Sequence, residues 1–171
     1  MNWDAIGAVG EVVGAAAVVV SIVYLAVQIR QNTSSTKSAV ESEIALTLAN
    51  AAFEGADGPI PEIMFRGVGD FDKLNDEEKA RFVFYVLGWF RVWQLAYDQR
   101  NAGNLSDDSW ESLTHFISSA YASPGVRRIW EVRGATFKKG FRDFVESLES
   151  DAGTLNLNEQ VQMFRSETDH R

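Results

Sequence analysis

The pattern of apolar and polar positions divides the chain near residue 29. From Ala5 to Val27 the sequence reads AIGAVGEVVGAAAVVVSIVYLAV, 23 residues with one ionisable group, Glu11. At 1.5 Å per residue a helix of that length covers a hydrocarbon core about 30 Å thick, so residues 1–29 are expected to form a transmembrane anchor. A cleaved leader would carry a basic start and a small-residue cleavage site after the apolar run. Here the start is uncharged or acidic and the run ends in QIRQN. No Lys or Arg precedes the run, whereas Arg30 and Lys37 follow it, which predicts an outside N-terminus and a cytoplasmic C-terminal side.

One stripe of this segment is unlike the rest. Gly7, Gly10, Gly14, Ala17, Ser21, Tyr24 and Gln28 recur in alternating steps of three and four and include a GxxxG, Gly10 to Gly14. Lipid offers no hydrophobic force between helices, so small residues that admit close backbone approach mark a contact face. The register continues through Gln31, Ser35, Ser38, Ser42, Ala45, Ala49 and Ala52, with no Pro or Gly before Gly55. A helix running on through a juxtamembrane extension at 30–54 is therefore expected, about 75 Å from end to end; the alternative is a flexible linker at QNTSSTKS. Glu11 lies beside the seam. A carboxylate facing lipid at mid-depth costs about 2–3 kcal/mol, so it should face headgroups, a partner or water, in the last case as an acidic ring of a homo-oligomeric pore.

Beyond the extension the pattern predicts helices alone, in a domain at 55–150. Gly55 to Pro61 is a break, and Pro61 opens a short turn ending at Gly67. Asn75 and Glu78 have the spacing of a capping box before a helix over 76–101, whose apolar run Phe82 to Tyr97 is interrupted at Arg91. Arg at mid-bilayer is costly, so this segment reads as the central helix of a bundle rather than a second span. Ser106 caps a helix to about Ala122, Ser123-Pro124-Gly125 starts another that stops near Gly134, and a last one spans about Thr136 to Ser150. Phe137, Phe141, Phe144, Val145 and Leu148 share one face of it. Residues 151–171 form a polar C-terminal tail. The fold class is all-α.

Composition removes several functions. Cysteine is absent, which excludes thiol nucleophiles and thiolate metal sites, and only His115 and His170 supply imidazole. The chain carries 16 basic and 24 acidic residues, a net −8, and phosphate binding needs clustered cations, so nucleic acid is not expected as a partner. There is no phosphate loop, dinucleotide fingerprint or His-Glu metal motif. No cofactor and no catalysis are therefore expected. Ser123, with Arg127, Arg128 and Arg133 following, is a candidate anion or headgroup site, because a helix start presents free amides; an ordinary structural helix start is the alternative. Tyr97, Trp110 and Trp130 read as core anchors, and His115 as a partly buried histidine.

The motif W-x-A-I-G-x-x-x-E-x-x-G-A from Trp3, followed by Y-L-A-x-Q-I-R-Q-N from Tyr24, resembles a large group of short, uncharacterised bacterial membrane proteins. F-R-V-W-x-x-A-Y (Phe90 to Tyr97), the Trp110 helix, S-P-G (Ser123 to Gly125), R-x-x-W-E-x-R (Arg127 to Arg133) and F-R-D-F-V (Phe141 to Val145) extend the similarity over nearly the whole chain. The resemblance implies a bacterial inner-membrane protein and brings no catalytic residues with it. The sequence thus predicts a membrane-anchored homo-oligomer acting as a scaffold or accessory subunit, in contact with membrane lipid. A channel lined by the same helices and a subunit of a larger membrane complex are the alternatives.

Overall fold

The computed structural model describes residues 3–56, 58–148, 156, 157 and 159. Among them every regular element is helical: α1 Trp3–Ala56, α2 Ile60–Gly69, α3 Asp76–Asn101, α4 Asp107–Tyr121, α5 Pro124–Arg133 and α6 Lys139–Ser147, with 3-10 turns at Phe71–Lys73 and Gly134–Thr136. The protein is all-α. It separates into two compact units, residues 1–39 and 40–171.

The first unit is helix throughout its described length, the stretch 31–38 included. Several of its polar side chains are met within the helix. Ser21, Thr33 and Thr36 hydroxyls donate to the carbonyls of Ala17 (2.8 Å), Ile29 (2.9 Å) and Asn32 (2.9 Å), and the Gln28 amide donates to the Tyr24 hydroxyl at 2.9 Å. Each side chain described from Gly7 to Ala39 is exposed. Among the described residues α1 is the one helix long and apolar enough to cross a membrane.

The second unit begins inside α1. Val40, Ile44 and Leu48, spaced one turn apart, pack into its core, with Ile44 buried. Small residues dominate one register of 30–54, which is why the sequence suggests an extension separate from the bundle; the apolar register beside it packs into the core. Glu41 reinforces the contact, its carboxylate accepting from the Ser106 amide at 2.9 Å, so the first turn of α4 is held from α1 as well as by the Ser106 hydroxyl.

Local chemistry explains most boundaries. Pro59 and Pro61 start α2, which continues past Gly67 to Gly69, two residues beyond the expected stop, because the chain turns out only at Asp70, whose side chain accepts from the Asp72 amide at 3.1 Å. The capping box of α3 is complete, Asn75 and Glu78 each accepting from the other's amide at 3.0 Å. α6 starts at Lys139 rather than Thr136. Gly134–Thr136 closes a 3-10 turn, Phe137 is extended (φ −99°, ψ 161°), and the Lys138 amide donates to the Gln94 side chain at 3.0 Å, a cap supplied from α3. Of the tail expected over 151–171, only 156, 157 and 159 are described; Asn156 and Glu159 again cap one another, at 2.9 and 3.0 Å.

The core is aromatic. Phe82, Val86, Phe90, Trp93 and Ala96 form the buried face of α3. Phe90 is fully buried, with ring centroids 4.9 Å from Trp93, 4.7 Å from Trp130 and 5.8 Å from Phe137. Tyr97, Trp110, Phe141 and Phe144 make a second cluster, Trp110 and Phe144 being 5.0 Å apart. Arg91, the interruption in the apolar run, lays its guanidinium over the Phe137 ring at 4.3 Å, where cation and ring face attract. Where α2 meets α5 the backbones touch: a Cβ on Gly125 would lie 1.7 Å from the Gly67 carbonyl oxygen, and one on Gly67 2.6 Å from the Phe82 ring.

Candidate functional site: an exposed seam and an apolar cavity

The seven residues of the N-terminal seam, Gly7, Gly10, Gly14, Ala17, Ser21, Tyr24 and Gln28, are all exposed, and Glu11 beside them is exposed too. Apart from the adjoining backbone of α1 itself, no part of the described chain comes within 4 Å of where a Cβ would stand on Gly7, Gly10 or Gly14. Ser21 and Gln28 already have partners four residues back. Further along, in the second unit, α1 shows two unlike sides. Val40, Ile44 and Leu48 are turned into the core, whereas Ser42, Ala45 and Ala49 stay exposed with Leu46 (63%) and Phe53 (74%) beside them. A large apolar side chain three-quarters bare on a helix whose other side is packed is a surface the fold itself does not use.

The candidate anion site does not assemble. Ser123 is fully buried; its hydroxyl donates to the Ser119 carbonyl and accepts from the Leu157 amide, both at 3.2 Å. Gly125, next in the helix start, is pressed onto the Gly67 carbonyl. Arg127 stacks on Tyr121 at 5.3 Å, Arg128 pairs with Glu131 at 3.3 Å, and Arg133 is exposed at the far end of α5. At about 100° per residue the three cations leave the helix in three directions, so they cannot converge on one anion. His115 is exposed rather than partly buried, because it lies on the outer side of the α4 face that buries Leu113 and Ile117. No group of His, Asp and Glu suited to a metal ion occurs among the described residues. Trp130 is buried in the first aromatic cluster, and Tyr97 and Trp110 are half-buried in the second.

The second unit also holds an apolar cavity of about 470 Å³, walled by Met64, Val86, Trp89, Trp93, Phe116 and Leu157 and edged by Ala52. Its walls come from α1 to α5 and from Leu157, so no local spacing announces it. Among the described residues no Lys, Arg, His, Asp or Glu lines it. Tyr85 also reaches it, with its hydroxyl donating to the Ala51 carbonyl at 2.9 Å. Trp93 is 2% exposed, and its buried indole Nε1 finds no acceptor among the described residues.

Among the described residues one carboxyl is shifted, and it lies elsewhere. The Asn75 amide, and after it the Arg66 guanidinium, hold Glu78 below its ordinary value of 4.5. That pair joins α2 to the start of α3 and is structural.

Comparison with family models, curated proteins and solved structures finds no match to this chain.

Proposed function

We propose that this chain is a single-pass membrane protein that self-associates along α1 and presents its helical domain as a scaffold or accessory subunit, without catalysis. The observation that carries the reading is the bare side of α1. In the first unit every described side chain from Gly7 to Ala39 is exposed, and at about 25 cal/mol per Å² the exposure of so apolar a helix to water is a large penalty that lipid removes. In the second unit the same helix buries Val40, Ile44 and Leu48 yet leaves Leu46 and Phe53 bare beside small residues. A second copy of the helix suits both stretches, since close packing of small residues is what drives association in lipid and apolar contact is what drives it in water.

The residues following the apolar run are the basic ones, which supports an N-out, C-in orientation, in a bacterial inner membrane if the family resemblance holds. Ser21 and Gln28 have intrahelical partners and so need no water. That favours a dry seam over a water-filled pore with Glu11 at its mouth.

The test is the mass of the nanodisc-reconstituted full chain by native mass spectrometry, for the wild type, Gly14→Ile and Val13→Ile. A defined homo-oligomer is expected, weakened by Gly14→Ile and unchanged by Val13→Ile. A monomeric wild type would assign α1 to a different protein in a larger complex, and equal behaviour of the two variants would remove the seam.

A further inference from the structure

We propose that the apolar cavity of the second unit is the seat of the chain's own C-terminal segment, with Val161 and Phe164 as the side chains that enter it. The inference is independent of the membrane reading and starts from the described end of the chain. Leu157 is already part of the cavity wall and packs against the core. Its amide donates to the Ser123 hydroxyl at 3.2 Å, and Ser123 is fully buried, so the chain is fastened to the domain where it lines the cavity. Asn156 and Glu159 cap one another, the Asn156 side chain accepting from the Glu159 amide at 2.9 Å and the Glu159 carboxylate from the Asn156 amide at 3.0 Å. This reciprocal pair is the start signal of a helix whose first residue is Leu157.

Residue order beyond that point supplies what the cavity lacks. Val161 and Phe164 follow Leu157 at i+4 and i+7, one apolar stripe of a helix, while Asn158, Gln162 and Arg165 fall on another side. At 1.5 Å per residue the stripe reaches about 10 Å from Leu157, far enough to cross a hollow of about 470 Å³. The hollow is partly open, and its described lining is aromatic and aliphatic without a charged side chain, which matches a valine and a phenylalanine. A second copy or a free molecule has to be captured from solution. The C-terminal segment leaves from the wall itself, so a tether of a few residues sets its local concentration.

The chain has no cysteine, so a single introduced thiol reports on one place. Met64→Cys puts it in the cavity wall, and Phe84→Cys puts a control on the outer side of α3, at a position 77% exposed. In the purified full chain the thiol of Met64→Cys is expected to react slowly with a maleimide. Deletion of residues 158–171 should raise that rate about 10–100-fold, as expected when a valine and a phenylalanine must leave an apolar surface before the reagent enters. Phe84→Cys should react equally fast with and without the segment. Within the full chain, Val161→Asp combined with Phe164→Asp should reproduce the deletion, whereas Gln162→Asp should leave the thiol protected.

The near-ultraviolet circular dichroism transition checks that each variant is folded; if the deletion unfolds the domain, the contrast between the paired and the single Asp variants decides. Equal rates with and without the segment, or equal effects of the paired and single Asp variants, overturn the proposal. Protection of the truncated chain by an excess of cysteine-free full-length chain also overturns it, because a second copy is then the occupant.

Discussion

Up to Ala39 and from Val40 onward, α1 is one helix by its backbone hydrogen bonds, yet the two stretches are stabilised by different surroundings. From Gly7 to Ala39 the first has no described side chain covered, and Ser21 and Gln28 find their partners within the helix. The second gains Ile44 in a shared core and a carboxylate, Glu41, that holds the start of α4. An unsupported helix in water is marginal, whereas in hydrocarbon breaking its backbone bonds is prohibitive. On the membrane reading proposed above, one stretch owes its order to lipid and the other to tertiary contact, and their responses to mutation should separate.

The largest separation is expected from Phe90→Ala. Emptying the centre of the aromatic core should cost about 3–5 kcal/mol, visible as a lowered melting transition in near-ultraviolet circular dichroism. Resistance of the chain to carbonate extraction from membranes should not change; a parallel loss of membrane retention would break the comparison. Gly125→Ala is expected to cost less, about 1–3 kcal/mol, because one methyl must push apart the α2 and α5 backbones. Its effect too should be confined to the domain transition, and a neutral result would mean that the two helices are free to separate.

The smallest effect is one of pH. Glu78 titrates lower in the folded chain than its ordinary 4.5, so the stability it contributes is present above that value and is lost as pH falls through the folded value. Glu78→Gln should flatten the acid side of the stability curve of the domain, below about pH 4.5, without altering membrane retention. An unchanged acid limb would assign acid sensitivity to other carboxylates.

Much of this architecture could be read from residue order, because caps and breakers act over three or four positions. Asn75 with Glu78, Ser106 and Pro124 each mark the helix start that the structure shows. The start of α6 was not legible, since its cap comes from Gln94 on another helix. Nor was the inner side of α1, where Val40, Ile44 and Leu48 are three residues in a run of small and polar ones, and their partners lie far along the chain. The scatter of Arg127, Arg128 and Arg133 was legible in principle from helical geometry alone. The cavity was not, because its walls are brought together from five helices and Leu157, far apart along the chain.

The contact between Gly67 and Gly125 bears on how such a chain diverges over time. Most core positions accept exchange among apolar residues of similar volume, so the aromatic clusters can be rewritten gradually. Gly125 has no smaller substitute and no room for a larger one while the Gly67 carbonyl stands where its Cβ would go. Among distant descendants of this sequence, two glycines kept at matching places in the second and fifth helices should outlast the aromatic pattern. They would mark common ancestry after overall similarity has faded.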